Sequence, residues 1–256
     1  MNAKETRGLR RGAALLPSLL TTGNLFLGFW AIIRALHGEY GAAAPLVGWA
    51  IVLDMLDGRI ARMTGTTSEF GGELDSLADS ISFGMAPALL AYGWAFGSVP
   101  RAGWIAAFLF VMCGVFRLAR FNVQRHSVDG RYFVGLPIPM AAAQIAALVH
   151  FDPDPITRKP QALLVVALVF TLALLMVSTL RYHSFKGVDL RKRRSYLTVL
   201  GVATLLLPIA LFPEYALLTL ASAYAVSGPT GHLLGLARRR GGPPPAPVPA
   251  GEAHSH

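Results

Sequence analysis

Asp54, Asp57, Asp75 and Asp79 are the residues of this chain whose type and spacing do chemistry most directly. They fall in one stretch, DMLDGRIARMTGTTSEFGGELDSLADS, over residues 54–80. Spacings of three and four put each pair on one face of a helix. A short link between two helices makes them antiparallel neighbours, so four carboxylates can converge at one depth. Bare carboxylates packed together repel, and some bind protons instead of staying ionised. Divalent cations resolve the conflict: hard oxygen ligands suit Mg²⁺ or Mn²⁺, and two ions can share bridging carboxylates. Such a pair is suited to clamping a pyrophosphate. Gly58, Gly65, Gly71 and Gly72 in the spacer allow close backbone approach by a ligand. Arg62, eight residues after Asp54 and near the same helical face, is a candidate phosphate partner. Solvation at a helix end explains any one of these carboxylates alone. It explains all four poorly, because ionisable residues on membrane spans are costly and mark function by default. Cation transport through the same carboxylates stays open on this evidence.

The elements that position them are read from composition. Hydrophobic residues make up 54% and charged residues 14% of 256, against about 25% charged in an ordinary soluble domain. Mean hydropathy is +0.50. This excludes a disordered chain and points to one whose solvent is largely lipid. One cysteine, Cys113, excludes a disulfide scaffold and a multi-cysteine zinc site. The net charge of +9 fits basic loops facing anionic lipid, with no nucleic-acid partner needed. Apolar runs predict about eight transmembrane helices, near 18–36, 42–57, 77–97, 102–119, 135–150, 162–180, 196–211 and 215–236. With the N-terminus in the cytoplasm, every Lys and Arg except Arg34, Arg101, Arg158 and Lys159 falls on the cytoplasmic side. That is the bias of a prokaryotic cytoplasmic-membrane protein, and it puts the carboxylates at the cytoplasmic face. The expected organisation is a basic N-terminus (1–14), a membrane-embedded domain (15–236) and a disordered Pro/Gly-rich tail (237–256). No cleavable signal peptide is evident. In the first span Pro17, Thr21 and Asn24 share a face; an interhelical hydrogen bond is the simplest use of such residues.

The order Asp54-x2-Asp57-Gly58-x2-Ala61-Arg62-x8-Gly71-x3-Asp75-x3-Asp79 resembles the signature of the CDP-alcohol phosphatidyltransferases, with all eight fixed positions present. The resemblance implies an all-α integral membrane enzyme with a six-helix core, usually a homodimer, that releases CMP from a CDP-linked donor. It implies two metal ions, the first held by Asp54, Asp57 and Asp75 and the second by Asp57, Asp75 and Asp79. It makes Asp79 the general base as well. Gly58, Ala61, Arg62 and Gly71 would shape the site for the CMP part.

Further motifs resemble the membrane-embedded phosphatidylserine synthase branch of that family. They are Ser82-Phe83-Gly84-Met85-Ala86-Pro87, Arg117-Leu118-Ala119-Arg120-Phe121-Asn122, Gly135-Leu136-Pro137-Ile138-Pro139, and Met176-Val177-Ser178 before Tyr182-His183-Ser184-Phe185-Lys186. His183 stands where that branch carries proline. The implied substrates are CDP-diacylglycerol and L-serine. Arg117 and Arg120, three apart at a helix end, can face one pocket, where one clamps the serine carboxylate. Asn122 would meet the ammonium, and Lys186 or Arg181 a phosphate. The nearest alternative is the same fold with glycerol 3-phosphate, inositol or inositol phosphate as acceptor.

Overall fold

The structure, a computed structural model, describes residues 3–65, 68–124, 132–183, 204 and 207–240. It is built from helices α1 (Ala3–Leu36), α2 (Tyr40–Thr64), α3 (Glu69–Asp79), α4 (Ala86–Ala95), α5 (Pro100–Gln124), α6 (Ile138–Phe151), α7 (Lys159–Val177) and α8 (Pro213–Arg240). Two three-residue strands, β1 (Tyr132–Val134) and β2 (Arg181–His183), pair antiparallel with Phe133 opposite Tyr182. The hairpin is an addition to the all-helical expectation. The expected span near 196–211 lies mostly outside the described residues, as do Lys186 and most of the tail.

Four described helical segments are long and apolar enough to cross a membrane: Ser18–Leu36, Tyr40–Thr64, Pro100–Val123 and Lys159–Val177. Their outward faces carry Phe26, Phe29, Trp49, Phe108, Leu164 and Leu174, all exposed. An apolar surface of that breadth is stable against lipid and not against water. Inside, the contacts are made by small residues. Ala31, Ala35, Ala43, Ala44 and Ala50 are buried in α1 and α2, and Ala141, Ala142 and Ala146 in α6. Without a hydrophobic drive between helices in lipid, close backbone approach through small side chains is what holds a bundle together.

Short connections make consecutive helices antiparallel, which sorts their ends into two groups. Arg34 pairs with Glu39 across the α1–α2 turn and lies 5.5 Å from the Trp30 ring centroid. At that same end Trp94 Nε1 donates to Asp154 O at 2.9 Å, and Phe151 meets Tyr215 edge-on at 5.3 Å. The opposite end gathers the α2–α3 connection, the C-terminus of α5, the β1–β2 hairpin and the C-terminus of α7.

Helices α3 and α4 are joined by a π-helical turn, Ser80–Met85. Such a turn inserts a residue into the helical register and re-aims what flanks it. Here it directs Ser82 Oγ to donate to Asn24 O of α1 at 3.0 Å. The approach is close enough that a Cβ at Gly28 would lie 2.3 Å from Ser82 Oγ and 2.6 Å from its Cα. Glycine is therefore required there for α1 to reach the turn.

Candidate active site

The carboxylates sit further from the helix ends than their sequence suggests. Helix α2 continues past Asp57 to Thr64 and closes on Gly65, whose φ of 64° is the left-handed cap that glycine adopts freely. Helix α3 starts at Glu69, with Ser68 as its N-cap: the Ser68 side chain accepts from Gly71 N at 3.0 Å. Asp54 and Asp79 thus lie about ten residues from the facing ends of α2 and α3, roughly 15 Å in at 1.5 Å per residue.

One carboxylate oxygen each of Asp54, Asp75 and Asp79 lies within 4.8 Å of the other two. Asp54 and Asp75 are half-buried and Asp79 is buried. Arg62 is the cation nearest in effect to Asp54, while Asp79 feels Arg117. The donor set is all hard oxygen with no cysteine or histidine, so it fits a divalent cation of the Mg²⁺ or Mn²⁺ kind. Asp57 stands outside the group of three. It is buried, and its Oδ2 accepts a hydrogen bond from Thr21 Oγ1 of α1. The second polar residue on that face, Asn24, is fully buried and donates from Nδ2 to Asp79 Oδ1 at 3.3 Å, while its Oδ1 has no partner. The shared face of Thr21 and Asn24 is thus used for interhelical hydrogen bonds, one ending on Asp57 and the other on Asp79 of the cluster.

The residues expected around the nucleotide lie on the same two helices. The Arg62 guanidinium folds back along α2, so a Cβ at Gly58 would meet its Nη1 at 3.3 Å. A Cβ at Gly71 would press on the Ser68 cap at 3.1 Å. Ala61, half-buried, lies on α2 between Gly58 and Arg62.

The two arginines of α5 separate. Arg120 is spent on backbone: it donates to Val134 O at 2.9 Å, Val177 O at 3.3 Å and Ser178 O at 3.5 Å. These are the carbonyls at the end of β1 and the C-terminus of α7, where a helix leaves acceptors unmatched. Arg117 is buried, at 8% exposure, and its Nε has no hydrogen-bond partner. Its electrostatic neighbours are Asp79, Tyr224 and Arg120. Asn122 Nδ2 donates to Ser76 Oγ at 2.9 Å, which ties α5 to α3 beside Asp75.

Comparison with known proteins bears on this arrangement. A CDP-diacylglycerol–serine O-phosphatidyltransferase of Helicobacter pylori is 42% identical over 179 residues, covering 68% of this chain and 74% of that one. An archaetidylserine synthase of Methanothermobacter thermautotrophicus is 36% identical, covering 68% and 71%. The crystal structure of Mycobacterium tuberculosis phosphatidylinositol phosphate synthase in complex with manganese and citrate aligns with a TM-score of 0.46 at 26% identity, covering 70% and 85%. The family model for CDP-alcohol phosphatidyltransferase matches residues 14–178, which hold the three clustered carboxylates, Asp57 and Arg117. The chain belongs to the CDP-alcohol phosphatidyltransferase family.

Proposed function

We propose that the chain is a phosphatidylserine synthase, transferring the phosphatidyl group of CDP-diacylglycerol to the hydroxyl of L-serine with release of CMP. The observation that carries the acceptor is Arg117: a buried guanidinium whose Nε–H has no hydrogen-bond partner, and which feels the charge of Asp79 in the cluster. A guanidinium edge matches a carboxylate in a bidentate fork. Two relatives named for serine transfer support the same acceptor.

Two divalent cations, Mg²⁺ or Mn²⁺, held by Asp54, Asp57, Asp75 and Asp79, would supply charge neutralisation for the donor's pyrophosphate. The chain's own residues do the rest. Gly58, Ala61, Arg62 and Gly71 bound the CMP part. Arg117 holds the serine carboxylate and Asn122 lies on the ammonium side. Asp79 takes the proton of the serine hydroxyl as its oxygen bonds to the lipid-side phosphorus. The bond from that phosphorus to the bridging oxygen breaks, and CMP leaves with the electron pair. Asp79 then returns its proton to water. Asn24 holds Asp79 in place throughout. The gain is one of positioning and electrostatics. The active site faces the cytoplasm, where a lipid donor enters from the bilayer and serine from water, and the working unit is a homodimer.

The test is CMP release by the purified protein from CDP-diacylglycerol, with serine, glycerol 3-phosphate, inositol and inositol phosphate compared as acceptors. Serine alone supports turnover on this reading. Preference for a phosphorylated acceptor refutes it.

A further inference from the structure

Helix α1 brings one face to the carboxylates, and none of its residues belongs to the carboxylate motif. Thr21 is buried, and its hydroxyl donates to Asp57 Oδ2 of α2. Asn24, on the same face and fully buried, donates from Nδ2 to Asp79 Oδ1 of α3 at 3.3 Å. Gly28, one turn further, lets the backbone close on Ser82, whose Oγ donates to Asn24 O at 3.0 Å. The backbone of Asn24 is therefore fixed by the same π-helical turn that follows Asp79. The neighbouring Thr22 shows the contrast. It is exposed, and its hydroxyl returns to Ser18 O of its own helix at 2.7 Å.

We propose that Thr21 and Asn24 are positioning residues of the cation site, so that α1 sets how tightly the carboxylates of α2 and α3 hold a divalent cation. This rests on the divalent cations proposed above. Two features argue that the face does more than pack helices. Asn24 Oδ1 is buried without a partner, a cost that an apolar side chain in that place would not incur. Both donors are also neutral. A lysine or arginine there would pair with the carboxylate and compete with a cation for it. A hydroxyl and an amide each engage one carboxylate oxygen, fix the orientation of the group, and leave its negative charge and its second oxygen to a cation.

The probe is Mn²⁺ alone, added to the full chain in detergent without donor or acceptor. Bound ion is read from the loss of the free Mn²⁺ signal in electron paramagnetic resonance. Thr21→Val keeps the branching and removes the hydroxyl; Asn24→Leu keeps the branching and removes the amide. Each should weaken Mn²⁺ binding roughly 10- to 100-fold, the usual loss when a contact behind a metal ligand is removed. Thr21→Ser, which retains the hydroxyl, and Thr22→Val, on the exposed side, should bind Mn²⁺ as the native chain does. The rise in melting temperature that Mn²⁺ brings should shrink in Thr21→Val and Asn24→Leu. A face that only packs helices would lower the melting temperature in EDTA and leave the Mn²⁺ affinity of the folded protein native, which overturns the inference. Tighter binding in Thr21→Val means that the hydroxyl restrains Asp57 from the cation, and overturns it too. Should either variant fail to accumulate, Thr21→Ala and Asn24→Ala read the same affinity. A native chain that binds no Mn²⁺ overturns the cation assignment and this inference with it. A native chain that binds Mn²⁺ no more tightly than the variants overturns the inference alone.

Discussion

Two arginines one turn apart on α5 should fail in different ways when replaced. Arg117 keeps an unpartnered Nε in a buried setting, so its loss should be felt by the acceptor. Losing a charged hydrogen-bond partner costs about 1.5–3 kcal/mol, which is on the order of 10- to 150-fold in apparent affinity. Arg117→Ala should raise the serine KM by that factor, and Arg117→Lys should recover only part, because lysine restores the charge without the planar fork. Arg120 makes three bonds to carbonyls of Val134, Val177 and Ser178, so its loss should be felt by the fold. Half-exposed charged bonds of this kind contribute on the order of 2 kcal/mol together, after the loss of solvation is set against them. At 2–4 °C per kcal/mol, Arg120→Ala should lower the melting temperature by roughly 4–8 °C. The remaining folded fraction should keep the native serine KM. The assay is paired: CMP release against serine concentration, and thermal unfolding in detergent, for the same four preparations. If Arg120→Ala raises the serine KM by tenfold while Arg117→Ala leaves it alone, the division of labour is the reverse of the one argued here.

The remaining expectations concern the cluster and the helix that supports it. Chelation with EDTA should abolish CMP release, and Mg²⁺ or Mn²⁺ should restore it; full turnover in metal-free buffer defeats the metal assignment. Asp79→Asn should reduce kcat by roughly 10²- to 10⁴-fold, the usual contribution of a general base, with much less change in CDP-diacylglycerol binding. Near-native turnover in that variant removes Asp79 from both its roles. Gly28→Ala sets a Cβ 2.3 Å from Ser82 Oγ, so α1 must move off the π-helical turn and carry Asn24 away from Asp79. It should cost about 1–3 kcal/mol of stability, as overpacking does, and lower kcat more than either KM. A variant with native stability and kcat shows that the close approach is not needed.

The carboxylate cluster was legible in the sequence because helical periodicity is local: Asp75 and Asp79 share a face wherever α3 goes. The distribution of work among the four was not. Asp57 is drawn to Thr21 by the packing of α1, which depends on the fit between Gly28 and a π-helical turn that SISFGM does not announce. Likewise, the arginine pair on α5 reads as two equal candidates. What separates them is a hairpin between Tyr132–Val134 and Arg181–His183, strands distant in the chain, whose neighbouring carbonyls claim Arg120. Four of the expected spans, in α1, α2, α5 and α7, were legible from their apolar content, but helix ends were placed several residues early at α2 and late at α3. Polar and glycine-rich segments there read as loop, although they continue as helix beyond the apolar stretch.

Those helical extensions have a consequence for how two substrates of opposite character reach one place. Residues 58–64 and 69–74 carry the clustered carboxylates away from the loop between α2 and α3 and into the bundle. An ionised group at that depth is costly unless it is paired or bound. The chain meets this cost with side chains from two other helices: Thr21 and Asn24 from α1 and Arg117 from α5. Each is polar at its tip and lies on a helix whose other faces are apolar. The polar lining therefore converges at one depth while the outer surface stays compatible with lipid. A donor with two acyl chains can keep them in the bilayer and extend only its pyrophosphate inward, and the acceptor meets it from the end where Arg120 holds the hairpin against α7. Fixing that end matters to the fold first, and on the proposed reading it also frames the acceptor, since the arginine assigned to the acceptor sits one turn from the arginine that closes the fold.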